Sequence, residues 1–217
     1  MSDLIIVCEG QTEQAFCDKI LKNHLAAHNV NIRYPLIAHP GGGGGIVKWP
    51  QLKSDILAHH TQSGAAYITT FIDYYGIKPH HNFPDWNLAQ TQVDKPTRMS
   101  ALEAAMKADI LQAVGNQFIP YIQLHEFEAL VLSDHTVFAQ RFNPQKYNAP
   151  ALAALCANPP ETINDGVATA PSKRLKQIVP GYNKTVDGVE IAKLTGLAGI
   201  RARCPRFNDW ISILEGL

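Results

Sequence analysis

The run Leu4-Ile5-Ile6-Val7-Cys8 is apolar without alternation and stops abruptly at Glu9-Gly10. A short run of this kind belongs to a strand buried on both faces, the habit of parallel sheets covered by helices. Two later runs repeat the design. Residues 67–72 end on Asp73-Tyr74-Tyr75-Gly76, and residues 118–124 end on His125-Glu126-Phe127-Glu128. Each of the three predicted strands therefore delivers carboxylates at its end. In open α/β sheets, sites form beyond the carboxyl ends of the strands.

Helical periodicity fills the spaces between. Ala15, Phe16, Ile20, Leu21 and Leu25 predict a helix over 11–27, and Leu52, Ile56 and Leu57 predict another over 49–62. A further strand is expected over 31–38, and the strand ending on Asp73 over 65–73. Residues 79–97 hold three prolines and read as a long surface loop. A helix over 100–114 follows, with Ser100 as N-cap and Glu103 three positions on, a capping-box pattern. The next strand has Pro120 near its start. Helical pieces are expected over 150–156, 172–178, 189–194 and 207–214, separated by Pro159-Pro160 and Pro180-Gly181. The resulting expectation is α/β: a mostly parallel sheet flanked by helices, with a helical C-terminal part. Residues 1–135 form the α/β core and 136–217 a mainly helical extension of the same single domain.

Composition narrows the function classes. A chain of 217 residues with 46% hydrophobic and 18% charged residues can bury one sizeable core. No apolar stretch reaches the roughly 18 residues that span a bilayer. Asp3 ahead of a short apolar run does not make a signal peptide. A cytoplasmic protein with no membrane association is expected, its four unspaced cysteines reduced and structural. Nineteen cations balance nineteen anions, which argues against coating nucleic acid through bulk charge. Local phosphate contacts remain open, and cations concentrate in the C-terminal third.

The acidic clusters carry the chemistry. Glu9 and Glu13 flank a strand-to-helix turn, and Gly10 would let both face one point. Glu13 could equally serve the helix dipole. Glu9, directly after apolar residues, should be partly buried, and a buried carboxylate needs a cation or strong donors. Asp73 repeats the pattern. Carboxylates brought together repel unless they share a cation, for which magnesium or manganese is the natural choice. Glu126 and Glu128 lie on one side of a strand or on different faces of a beginning helix, so either could reach the site. His125 reads as an orienter, an acid/base or a satisfied core histidine. Lys173 is a candidate for neutralising phosphate charge, with Arg174, Lys184 and Lys48 as candidate nucleic-acid contacts. The glycine run 41–45 lacks the Gly-Lys-Ser/Thr of a Walker loop and reads as flexible chain.

Glu9-Gly10-Gln11-Thr12-Glu13, Asp73-Tyr74-Tyr75-Gly76 and Pro120-Tyr121 running into His125-Glu126-Phe127-Glu128-Ala129-Leu130 resemble the DUF4276 family. So do Ser172-Lys173-Arg174, Tyr182-Asn183-Lys184 and Cys204-Pro205-Arg206-Phe207. That family is grouped with Toprim-like domains, related to overcoming-lysogenization-defect nucleases. The resemblance implies a Toprim-like (Rossmann-like) fold and a magnesium or manganese site held by Glu9, Glu13 and Asp73. Glu126 or Glu128 would complete it. It implies a nuclease or phosphotransferase acting on nucleic acid, DNA more than RNA, in a bacterial defence or mobile-element setting. An SMC-like or AAA ATPase partner, or a homodimer, is also implied. One departure stands out. Tyr75 occupies the place of the second aspartate of an Asp-x-Asp pair, so the site would bind one metal, recruit a glutamate from 126–128, or be inactive. The alternative expectation is a catalytically degenerate binding or regulatory subunit of an ATPase.

Overall fold

A computed structural model describes residues 1–38, 48–163 and 169–217. The glycine run 41–45 lies outside the described residues. In chain order the strands are β1 (Ser2–Cys8), β2 (Val30–Arg33), β3 (Tyr67–Asp73), β4 (Phe118–Ile119) and β5 (Ile122–Gln123). The helices are α1 (Gln11–Phe16), α2 (Lys22–Ala27), α3 (Trp49–Ser63), α4 (Trp86–Gln90), α5 (Lys95–Val114), α6 (Phe127–Val131), α7 (Ala149–Ala157), α8 (Pro171–Ile178), α9 (Val189–Arg203) and α10 (Pro205–Glu215). A π-helical turn, Cys17–Leu21, joins α1 to α2, so 11–27 is one winding helix, as its periodicity predicts.

The sheet is five-stranded and wholly parallel, in the order β2-β1-β3-β4, with β5 also paired to β3. β4 and β5 are two pieces of one edge strand. The break falls at Pro120, which has no N–H to give the ladder. Thr70 repairs it: its hydroxyl accepts from the Tyr121 N–H at 2.9 Å and donates to the Tyr121 carbonyl at 2.8 Å.

The residues of β1 divide between two cores, as the period of two requires. Leu4, Ile6 and Cys8 face a layer with Phe16, Leu25, Phe127, Ile191, Phe207 and Trp210. Ile5 and Val7 face α3 and α5 through Leu52, Ile56, Leu102 and Met106. Each fully buried Leu, Ile or Phe side chain contributes roughly 1.5–3 kcal/mol. Residues of the C-terminal helical part share the first of these cores with β1 and α1.

Local departures from the expected elements have identifiable causes. The second strand is shorter, Val30–Arg33, followed by a single bridge between Cys8 and Leu36. Helix α5 starts at Lys95 instead of Ser100, capped by Asp94, whose carboxylate accepts from the Thr97 N–H at 2.9 Å. Pro96 there sits in the first turn, where proline is tolerated. Glu103 caps nothing; it accepts from the Ile122 N–H at 2.8 Å and pairs with Arg206 at 2.6 Å. The 79–97 excursion contains α4.

Candidate metal centre

Pairing beyond the named strands assembles the carboxyl edge of the sheet. The Glu9 N–H donates to the Phe71 carbonyl. On the other side of β3, the Tyr74 N–H donates to Gln123 O at 2.9 Å and the Tyr75 N–H to His125 O at 2.8 Å. Residues 126–128 are thereby drawn alongside Asp73. His125 then turns the chain into α6 with φ of 75°, a conformation that costs a non-glycine residue on the order of 1 kcal/mol. Its imidazole Nε2 bonds to the Glu161 carbonyl at 2.8 Å. His125 is a buried structural histidine that shapes this turn.

Glu9, Glu13, Asp73 and Glu128 come together here. The Glu9 carboxylate accepts from the Asp73 N–H at 2.7 Å, tying the ends of β1 and β3. Glu13, in the first turn of α1, folds back over Gly10; a Cβ there would stand 3.1 Å from its Oε2. A side chain at this position would make the Glu13 carboxylate shift by a few tenths of an ångström. Glu128, on α6, is fully buried. Lys184, at the start of the π-helical turn Lys184–Gly188, bridges two of these groups. Its ammonium lies 3.5 Å from Asp73 Oδ2 and 3.2 Å from Glu128 Oε2. The second approach is a charge contact without hydrogen-bond geometry, since both Glu128 oxygens lack a hydrogen-bond partner. Glu13 Oε1 and Asp73 Oδ1 lack one as well.

The electrostatics follow from this crowding. Burial first, then the Asp73 charge, push the Glu9 carboxyl well above its ordinary range. Burial raises Glu13 and Glu128 to about 7, with the Asp73 charge adding to burial and Lys184 opposing it in both. Asp73 is raised by burial and the Glu126 charge, against Lys184. Lys184, surrounded by anions, is held above the usual lysine range despite burial.

Four carboxylates around one ammonium leave an excess of negative charge, and buried partnerless oxygens call for a cation. An all-oxygen donor set matches a hard divalent ion, magnesium or manganese, so the residues fit such an ion.

Glu126 departs from this set. Both its oxygens are taken by Ser172, through the backbone N–H at 3.0 Å and the hydroxyl at 3.1 Å. It anchors the N-terminus of α8, leaving Glu128 as the glutamate whose oxygens remain available. Lys173 is exposed on α8 and Arg174 half-buried there; the cation in contact with the carboxylates is Lys184. Lys48 is exposed at the start of α3. Sequence reasoning placed Lys184 among the phosphate contacts; its position inside the cluster has no local signature, since 111 residues separate it from Asp73. Tyr182, which the sequence offers only as part of the family resemblance, has a buried hydroxyl that also lacks a partner and lies where a Gly188 side chain would clash.

A parallel α/β fold with a buried carboxylate cluster at the strand ends defines the class. Within that class the chain belongs to the family described as a domain of unknown function, DUF4276, whose sequence model matches residues 8–215. No curated protein and no solved structure matches the chain. No helix among the described residues is long and apolar enough to cross a membrane.

Proposed function

We propose that the chain is a Toprim-like, cytoplasmic nuclease or related phosphotransferase that acts with magnesium or manganese on nucleic-acid phosphodiesters, DNA more than RNA. The observation that carries this reading is the set of partnerless buried oxygens on Glu13, Asp73 and Glu128, beside Glu9 at the carboxyl edge of a parallel sheet. A divalent ion held by these four residues supplies polarisation of a phosphate oxygen and a lowered pKa for an attacking water.

The chain's own groups do the rest. The Asp73 N–H fixes the Glu9 carboxylate, so the two strand ends hold their spacing as substrate arrives. Lys184 offers the positive charge that stabilises a developing phosphoryl oxyanion. Glu13 and Glu128, raised to about 7 by burial in the metal-free chain, would release their protons on taking up the ion. Glu126 anchors the start of α8, the helix from which Lys173 and Arg174 would contact the phosphate backbone.

A nicking assay on supercoiled DNA and on RNA, with manganese, magnesium or a chelator, tests the reading. Cleavage should require the metal and vanish in Glu9→Ala and Asp73→Ala. Cleavage that survives both substitutions removes it. Tyr75 favours a second reading, a metal-poor regulatory subunit that recruits an ATPase, because a phenol is a poor magnesium ligand. Calorimetry separates the two: no uptake of either ion at millimolar concentration supports the regulatory reading.

A further inference from the structure

A second group of metal-ligating side chains lies away from the carboxylate cluster, where the end of the first helix meets the end of the last. His24 sits on α2 and His28 closes it, one turn apart, with ring centroids 5.0 Å apart. Helical spacing of four puts both imidazoles on one face. Glu215, the last residue of α10, reaches them across 191 residues of sequence: its Oε1 is 2.6 Å from His24 Nε2 and 3.8 Å from His28 Nε2. Among the described residues this is the group whose three ligand atoms all fall within 4.8 Å of one another.

We propose that His24, His28 and Glu215 form a binding site for a first-row transition-metal dication, zinc in particular, distinct from the carboxylate cluster. Two imidazole nitrogens and one carboxylate oxygen, with a position left for water, are a zinc donor set. The same donors are too soft and too few for magnesium, which wants oxygen ligands. Both rings bind as neutral imidazoles through Nε2 with the remaining proton on Nδ1.

The surroundings suit an ion. Arg201 forks onto Glu215, through Nη1 to Oε1 and through Nη2 to Oε2 at 3.1 Å. A carboxylate has about four lone-pair sites, so the fork leaves Oε1 a lone pair toward the histidines while fixing the carboxylate's orientation. Orienting partners of this kind are worth about 10–100-fold in metal affinity. His28 also lies at a helix C-terminus, where backbone carbonyls favour a cation. His24 Nε2 and Glu215 Oε1 need separate only to about 3.3 Å, the ligand spacing of a tetrahedral ion with bonds near 2.0–2.1 Å. The consequence is mechanical: one ion would pin α10 to the far end of the helix whose first turn carries Glu13.

The test is calorimetric titration of the full chain, stripped with a chelator, using zinc chloride alone. One histidine-dependent zinc per chain is expected beside any that the carboxylate cluster takes up, and cobalt in its place should show visible d–d absorption. His28→Ala should weaken binding about tenfold or more, and His24→Ala with His28→Ala should remove it. Because His28 is exposed, its substitution leaves the fold intact, and circular dichroism checks the double variant. Glu9→Gln with Asp73→Asn should leave the histidine-dependent zinc in place. Zinc should also raise the melting temperature of the wild type but not of the histidine variants. Uptake below one per chain, uptake indifferent to the histidines, or loss of the histidine-dependent zinc with Glu9 and Asp73 would each overturn the proposal.

Discussion

Glu126 and Glu128 are two residues apart and both buried, yet their surroundings are opposite. Glu126 satisfies the start of α8 through Ser172. Glu161 does the same for α10, accepting from the Arg206 and Phe207 N–H groups at 3.1 Å each. In both places a carboxylate meets the positive end of a helix and accepts from its donors, although burial still holds the Glu161 carboxyl above its ordinary value. At the strand ends the reverse holds. Glu128 has no hydrogen bond, and Glu13 and Asp73 each leave an oxygen unpartnered. Glu126 and Glu161 bond helix-start N–H groups and serve stability, whereas Glu13 and Glu128, though also in first helical turns, leave oxygens without partners and with Asp73 cost stability until something binds. Burial alone does not mark a site; burial without partners does.

That contrast breaks most visibly in activity. Asp73→Asn should lower metal-dependent cleavage roughly 100-fold or more, through loss of a ligand and of the charge that faces Lys184. Its urea midpoint should hold or rise, because a repelling charge leaves the cluster. The helix-start group should respond in the other sense. Glu161→Ala strands two N–H groups at the start of α10 and should cost about 2–3 kcal/mol in denaturant unfolding. Folded Glu161→Ala protein should retain the wild-type affinity for manganese.

Much of the edge was legible in the sequence because it is written locally. Unalternating runs predict buried parallel strands, and the residue after each run falls at the carboxyl end whatever the rest of the chain does. Glu9, Glu13 and Asp73 could be placed that way. Lys184 could not, since it reaches Asp73 only after the chain has passed through α6 to α8. The choice between Glu126 and Glu128 was equally hidden. It depends on Ser172 arriving from another helix and on the left-handed turn at His125, neither of which spacing reports. The start of α5 was misread for a local reason: Asp94-Lys95-Pro96 looks like loop until proline is allowed in a first turn.

Titration sharpens the comparison by a smaller amount. Glu13 and Glu128 are raised by burial from about 4.5 to about 7 in the folded chain. Below the unfolded value both states carry the proton, and the folded chain has its full stability from these groups. As pH rises toward about 7 the unfolded chain releases protons that the folded chain retains, so stability falls. The metal-free melting temperature should therefore drop by a few degrees between about pH 5 and about pH 8. Manganese should restore more of it at the higher pH, where the ion no longer competes with protons.

The finest test exchanges one oxygen for an amide at each of the neighbouring glutamates. Glu128→Gln removes a group that must either hold a proton or sit charged and unbonded. At about pH 8 the metal-free variant should gain about 1 kcal/mol and its stability should flatten with pH. Glu126→Gln keeps the shape but weakens two charge-assisted bonds to Ser172, and should lose about 1 kcal/mol at the same pH. The two substitutions differ by two positions in sequence and should differ in sign. If both destabilise, the Lys184 contact with Glu128 outweighs the cost of burying its charge, and the glutamate is a structural ion pair like Glu103 with Arg206. If Glu128→Gln alone stabilises while manganese affinity falls, the strained carboxylate is held in place for the ion.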